Sequence, residues 1–176
     1  WELPVFAHMP LLHGQDGNKL SKRHGALGVG SYRDMGFLPE AINNYLLRLG
    51  WSHGNDEIIA LEDAIKWFNI SDVGKSASRF DMDKLNSINS HYMKECDNNR
   101  LTKLIMPEIS KLIETELTPQ IENRLRTGMD ILKSRVNNIN ELIDNTEIYY
   151  SKRPINLNEK TTKALGEDAL EIIKEL

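Results

Sequence analysis

Asp16-Gly17-Asn18-Lys19-Leu20-Ser21-Lys22-Arg23-His24-Gly25 separates two kinds of sequence in this 176-residue chain. Upstream, Pro4 to Leu12 carries Val5, Phe6, Ala7, Met9, Leu11 and Leu12, a short apolar run that predicts a buried strand delivering the loop at its end. Loops at the carboxyl ends of strands are where open α/β sheets bind ligands. Asp16, Gly17 and Asn18 favour a turn and tolerate positive φ, so they are expected to release Lys19 to Arg23 from packed structure. Cations and a hydroxyl on such a loop suit phosphate. In phosphoryl or adenylyl transfer the negative charge moves onto the leaving pyrophosphate, and cations that meet it best in the transition state lower the barrier. The plain alternative is a solvated basic turn.

Downstream, Gly25-Ala26-Leu27-Gly28-Val29-Gly30 spaces its glycines as G-x-x-G-x-G, and no Gly-Lys-Ser/Thr follows. It is neither a Walker loop nor a dinucleotide fingerprint and reads as a connector. From Phe37 the period turns helical. Pro39 fits the first helical position, Ile42, Tyr45, Leu46 and Leu49 form one face, and Gly50 reads as the cap. Leu61, Ala64, Ile65 and Phe68 predict a second, short helix, and Asp72 to Ser78 a polar loop. Asp81 reads as the N-cap of a helix holding Met82, Leu85 and Ile88. Beyond Asn98 helical segments follow near 99–116, 119–135, 138–150 and 158–176, with Thr118 and Pro119 as cap and first-turn proline. Trp51, Trp67 and Phe68 are expected in the core, beside apolar helix faces. A domain boundary is placed near 95–100, where Gly, Pro and aromatic punctuation gives way to long amphipathic helices.

A chain with 40% hydrophobic residues can bury one or two cores. No apolar run approaches the roughly 18 residues needed to cross a bilayer, and no secretory signal is present at Trp1. Cys96 is the single cysteine, which excludes an internal disulfide and a Cys cluster for zinc, and the five histidines lack ligand spacing. These features predict a cytoplasmic protein with no bound metal and no membrane partner. The net charge of −4 argues mildly against a protein that wraps nucleic acid, although residues 1–50 hold five Lys and Arg against four Asp and Glu. The chain starts without Met and runs out inside an amphipathic pattern (Leu165, Ala169, Leu170, Ile172, Ile173, Leu176), so a piece of a longer protein is expected.

Lys19-Leu20-Ser21-Lys22-Arg23 resembles the KMSKS motif of class I aminoacyl-tRNA synthetases. The approach Phe6-Ala7-His8-Met9-Pro10-Leu11, and Asp16-Gly17 before the motif with His24-Gly25 after it, resemble bacterial glutamyl-tRNA synthetases. So do Gly36-Phe37-Leu38-Pro39-Glu40-Ala41, Asn44-Tyr45-Leu46, Arg48-Leu49-Gly50-Trp51-Ser52 and Ala77-Ser78-Arg79-Phe80-Asp81 with Lys84-Leu85. The resemblance implies ATP-dependent activation of glutamate to glutamyl-adenylate, then transfer to the 3′ end of tRNA(Glu), with tRNA(Gln) left open. It implies that Lys22 contacts ATP, that Lys19 and Arg23 help hold the triphosphate, and that Ser21 shapes the loop. Arg23 stands where the commoner motif has Ser and adds a planar donor fork for phosphate oxygens. ATP would arrive with Mg2+, and a monomer is expected.

The HIGH motif of the same class has no match in this chain, so catalysis is not expected of it alone. The resemblance predicts a mainly α fold: residues 1–25 as the end of a Rossmann-type catalytic domain, 26–97 as a mostly helical stem-contact domain with small β content, and 98–176 as the first part of an all-helical anticodon-binding domain. The chain would then be the C-terminal portion of the enzyme from the KMSKS loop onward. Lys75 and Arg79 are candidates for phosphate contacts to the tRNA stem, against simple surface charge. Lys133-Ser134-Arg135-Val136 resembles a helix segment that presents an Arg toward the anticodon, against a solvated cation on a helix's outer face. A non-catalytic helical RNA-binding or adaptor protein that kept the loop is the alternative.

Overall fold

Pro39 at the first helical position begins the helix against which much of the fold is assembled. The computed structural model describes residues 1–21, 27–113 and 117–151. It is mainly helical: β1 (Leu12–His13), α1 (Val29–Asp34), α2 (Pro39–Arg48), α3 (Leu61–Trp67), β2 (Ser78–Arg79), α4 (Met82–Glu95), α5 (Asn98–Leu112), α6 (Pro119–Lys133), α7 (Ile139–Asp144) and α8 (Glu147–Tyr150). A 3-10 turn spans Ile70–Asp72. The helix predicted over 158–176 lies outside the described residues. None of the described helices is long and apolar enough to cross a membrane.

Local signals set several helix starts. The Asp81 carboxylate accepts from the N–H groups of Asp83 (2.9 Å) and Lys84 (3.1 Å), and the Thr118 hydroxyl from Ile121 N–H at 3.4 Å, which satisfies donors that an α-helix leaves open. The end of α2 differs from expectation. Leu49 closes it in the right-handed region at φ −68°, and Gly50 is not among the positive-φ glycines, so no glycine cap is used. Part of the glycine-rich connector is also structured, with Val29 and Gly30 inside α1.

One cluster of buried side chains runs from Phe37 to Ile143 and draws on α2, α4, α5, α6 and α7, crossing the boundary proposed near 95–100. Ala41, Ile42, Tyr45 and Leu49 bury the inner stripe of α2, whereas Leu46 faces out. The large aliphatic side chains among them, Ile42 and Leu49, contribute about 1.5–3 kcal/mol each. Pro107 sits inside α5 and cannot donate a backbone bond there, but Ile105 and Ile109 beside it are fully buried, so packing carries the helix past it. Tyr149 seats over Gly128 so closely that any Cβ there would meet its ring at 2.4 Å.

Two buried amides tie the helices together. The side-chain oxygen of Asn89 accepts Leu38 N–H at 2.8 Å, and its amide donates to Asn137 O. Asn44 accepts Ile59 N–H (2.6 Å) and the Tyr92 hydroxyl (3.1 Å) and donates to Glu57 O (2.9 Å). Gly36, at φ +84°, lets the α1–α2 turn meet the start of α7: Ile139 N–H donates to Gly36 O at 2.9 Å, and the Asn140 amide to Asp34 O at 2.9 Å.

Two expectations fail. The run Pro4–Leu12 is not a buried strand. Only Leu12–His13 is extended in a sheet, and Val5 and Phe6 are exposed. A strand needs partners for its backbone, and among the described residues β2 and residues 19–20 pair only with Leu12 and His13. Trp67 and Phe68 are not core residues either. Trp51 is buried, but Trp67 keeps 38% and Phe68 45% of its surface. The Phe68 ring lies 5.9 Å from Trp51, and His53 stacks on Trp67 at 4.2 Å between ring centres, so the aromatics form an edge-exposed pile around a small second core.

Candidate functional site

The basic loop springs from a tight hairpin. Leu20 N–H donates to Leu12 O (2.8 Å), Gly14 N–H to Asn18 O (2.8 Å) and Gly17 N–H to Gly14 O (3.0 Å). The Asp16 carboxylate accepts the Asn18 backbone N–H at 3.0 Å and its side-chain amide at 2.9 Å, and Gly17 takes φ +80°. The expected turn is therefore present. Its consequence for Lys19 differs from expectation: this residue is not released but forms an antiparallel bridge with His13. The turn closes a hairpin rather than opening a free loop, and the backbone at Lys19 is fixed. Ser21 is the last described residue before 22–26, and Lys22 and Arg23 lie outside the described residues.

On the other side of β1 lies β2, parallel, with Leu12 opposite Ser78 and His13 opposite Arg79. Phe80 N–H then donates to His13 O at 2.7 Å. The polar loop predicted over 72–78 thus ends in a strand. Residues paired across strands project to the same face, so Lys19, His13 and Arg79 stand in one row. The Arg79 Nη2 lies 3.8 Å from the point a Cβ on Gly17 would occupy, which places the guanidinium over the turn. Lys19 and Arg79 are exposed and His13 is half-buried. The sequence reading passed over His13; its place at the end of an apolar run, just before the Gly14–Gly17 turn, is the signal that marks it.

β2 is held from behind. Asp81 N–H donates to the Tyr45 hydroxyl at 2.6 Å, and burial pushes the Tyr45 hydroxyl above its usual range, so it is a neutral phenol at physiological pH. Burial also pushes the Cys96 thiol up, which leaves it protonated and a poor nucleophile. Lys75 is exposed just after Gly74, whose N–H donates to Gly50 O at 2.8 Å. Arg135 is exposed, but in the turn after α6 rather than on a helix, its N–H donating to Leu132 O at 3.1 Å. The chain leaves the helix at Ser134 so that Val136 can be buried.

An apolar groove of about 1040 Å³ lies elsewhere, lined by residues including Pro39, Ile42, Leu104, Leu112, Ile139 and Ile143 and by none of 12–21 or 78–79. Among the described residues no three His, Cys, Asp or Glu side chains are grouped to hold a metal.

Residues 1–87 match the family of class I tRNA synthetases for glutamate and glutamine, in its catalytic domain. Over this span the chain is similar to that family. Its relatives are glutamate–tRNA ligases: that numbered 2 in Paramagnetospirillum magneticum is 54% identical over 168 residues, 96% of this chain and 35% of the relative. Glutamate–tRNA ligase 1 of Bartonella bacilliformis is 48% identical over 181 residues, covering all of this chain and 38% of its own length. A glutamate tRNA ligase of Elizabethkingia meningosepticum, solved with its amino acid, superposes with a TM-score of 0.77 at 25% identity, over 99% of this chain and 38% of that one. The chain thus spans about a third of the length of the curated relatives it matches, 35% and 34% for two of them.

The match corrects one expectation. It is a catalytic-domain match and runs to residue 87, where the sequence reading placed the chain in the C-terminal portion of the enzyme. The physical link is β2, which joins residues 78–79 to β1 at the base of the basic loop.

Proposed function

We propose that this chain works as part of a glutamate–tRNA ligase, supplying the KMSKS-type loop of its ATP site and a surface for tRNA. In the first step a glutamate carboxylate oxygen bonds to the α-phosphorus of ATP, the bond from that phosphorus to the β-phosphate oxygen breaks, and pyrophosphate leaves with the electron pair. In the second, a ribose hydroxyl at the 3′ end of tRNA(Glu) attacks the acyl carbon and AMP departs. Lys19, Lys22 and Arg23 act in the first step by meeting the charge that develops on pyrophosphate, with Ser21 shaping the loop. Mg2+ accompanies ATP and neutralises part of the triphosphate charge.

The observation that carries this reading is the hairpin. It anchors Lys19 against His13 and Leu20 against Leu12 at the base of the Lys19–Arg23 sequence, so the loop's cations are delivered from a fixed root. Lys75, Arg79 and Arg135 are the exposed cations open to tRNA in the sequence reading. The catalytic domain's other walls are not formed by these residues, and this chain alone is inactive on this reading. The test is aminoacylation by the full-length protein with purified tRNA(Glu) and tRNA(Gln). Glutamate attached to tRNA(Glu) is the expected result, and the second tRNA reads out the breadth of charging. No charging of either tRNA would favour the adaptor alternative.

A further inference from the structure

We propose that Arg79 is a phosphate-binding residue of the nucleotide site, paired with Lys19 on the polyphosphate of ATP, and not a contact to the tRNA stem. This rests on the function proposed above. The register brings it about: His13 pairs with Lys19 on one side and with Arg79 on the other, so three nitrogen-bearing side chains separated by up to 66 positions in the chain share one row. With strands about 4.8 Å apart, the Lys19 and Arg79 backbones flank His13 at a separation of about 10 Å, within which both long side chains can close on one polyanion.

Direction supports this assignment. The Arg79 guanidinium leans over Gly17, toward the turn from which the basic loop departs. No ion pair among the described residues engages Lys19 or Arg79, so both exposed cations are open to an added negative charge. A polyphosphate supplies that charge, and the planar fork of Arg can take two of its oxygens at once. The backbone that presents Arg79 is fixed by the bonds from Phe80 to His13 and from Asp81 to Tyr45, so the residue is a stationary partner to the loop that carries Lys22. Pyrophosphate, as leaving group or as inhibitor, meets the same row.

The test uses the full-length enzyme with saturating tRNA(Glu). In Arg79→Ala, the KM for ATP and the Ki for inorganic pyrophosphate should both rise about tenfold, the worth of one charge-assisted hydrogen bond, with the KM for tRNA within about twofold of the parent. Arg79→Lys should recover part of the loss, and Arg79→Gln, which keeps a polar side chain without the charge, repeats the measurement if the alanine variant is unstable. Combined with Lys19→Ala, the effect should be non-additive, as for groups sharing one ligand. A raised KM for tRNA with the ATP and pyrophosphate constants unchanged would overturn the proposal in favour of a stem contact. No change in any of the three would leave Arg79 a surface charge and overturn it equally. Either result leaves the ligase reading standing if Lys22→Ala still slows exchange, so the two failures are separable.

Discussion

Asn89 and Leu38, 51 residues apart, share a buried hydrogen bond of 2.8 Å in which the Leu38 N–H, at the N-cap of α2, donates to the Asn89 side-chain oxygen. The other half of the same amide donates to Asn137 O, so one fully buried side chain joins α2, α4 and the α6–α7 connection. Asn89→Ala should strand both backbone groups and cost about 2–4 kcal/mol, read as a shift of the urea midpoint at unchanged slope. A loss below about 0.5 kcal/mol, the level of an ordinary surface change, would contradict this role.

Gly36 and Gly28 give a paired prediction. A Cβ on Gly36 would stand 2.8 Å from Asn140 N and 3.0 Å from Ile139 N, at φ +84°, whereas a Cβ on Gly28 meets nothing within 4 Å, at φ −71°. Gly36→Ala should destabilise by about 2 kcal/mol or more, because strained backbone and a backbone clash add. Gly28→Ala should be neutral within about 0.5 kcal/mol. Thermal melts of the two variants side by side check the contrast, and equal melting temperatures would refute it.

Glu40 and Arg100 pair α2 with α5 at 2.7 Å. Burial pushes the Glu40 carboxyl up, but the hydrogen bond and charge of Arg100, with a backbone hydrogen bond, outweigh it and hold the group below the usual carboxylate range. A carboxylate with a depressed folded-state value stabilises the fold above its unfolded pKa of about 4.3, and that contribution is lost as pH falls through the folded value. The pair is partly exposed, so the contribution stays below about 1 kcal/mol. Glu40→Gln should therefore lower stability at pH 7 slightly and flatten the decline below about pH 4.3. An unaltered acid limb in the denaturation profile would show that Glu40 does not contribute to it.

Much of the helical fold is legible locally. Pro39, Asp81 and Thr118-Pro119 mark helix starts because caps depend on neighbours a turn away, and the stripe of Ile42, Tyr45 and Leu49 reports the buried side of α2. Asn44 and Asn89 are less legible, since a polar residue on a helix usually faces water; their places beside Tyr45 and Ile88 on buried stripes were the available signal. The aromatic cluster misled for the opposite reason: Trp67 and Phe68 have apolar neighbours in sequence, but α3 buries only Ala64. The candidate site is legible in part. Its loop is contiguous in the sequence, but the juxtaposition of Lys19 and Arg79 across His13 depends on two strands of two residues each, too short to leave a periodic pattern.

The central claim is that the Lys19–Arg23 loop serves adenylyl transfer, and Lys22→Ala in the full-length protein tests it most directly. Glutamate-dependent ATP–pyrophosphate exchange, with saturating tRNA(Glu), should slow by about tenfold or more, equivalent to about 1.4 kcal/mol of transition-state stabilisation. Exchange at the parent rate would remove Lys22 from the chemistry and contradict the account.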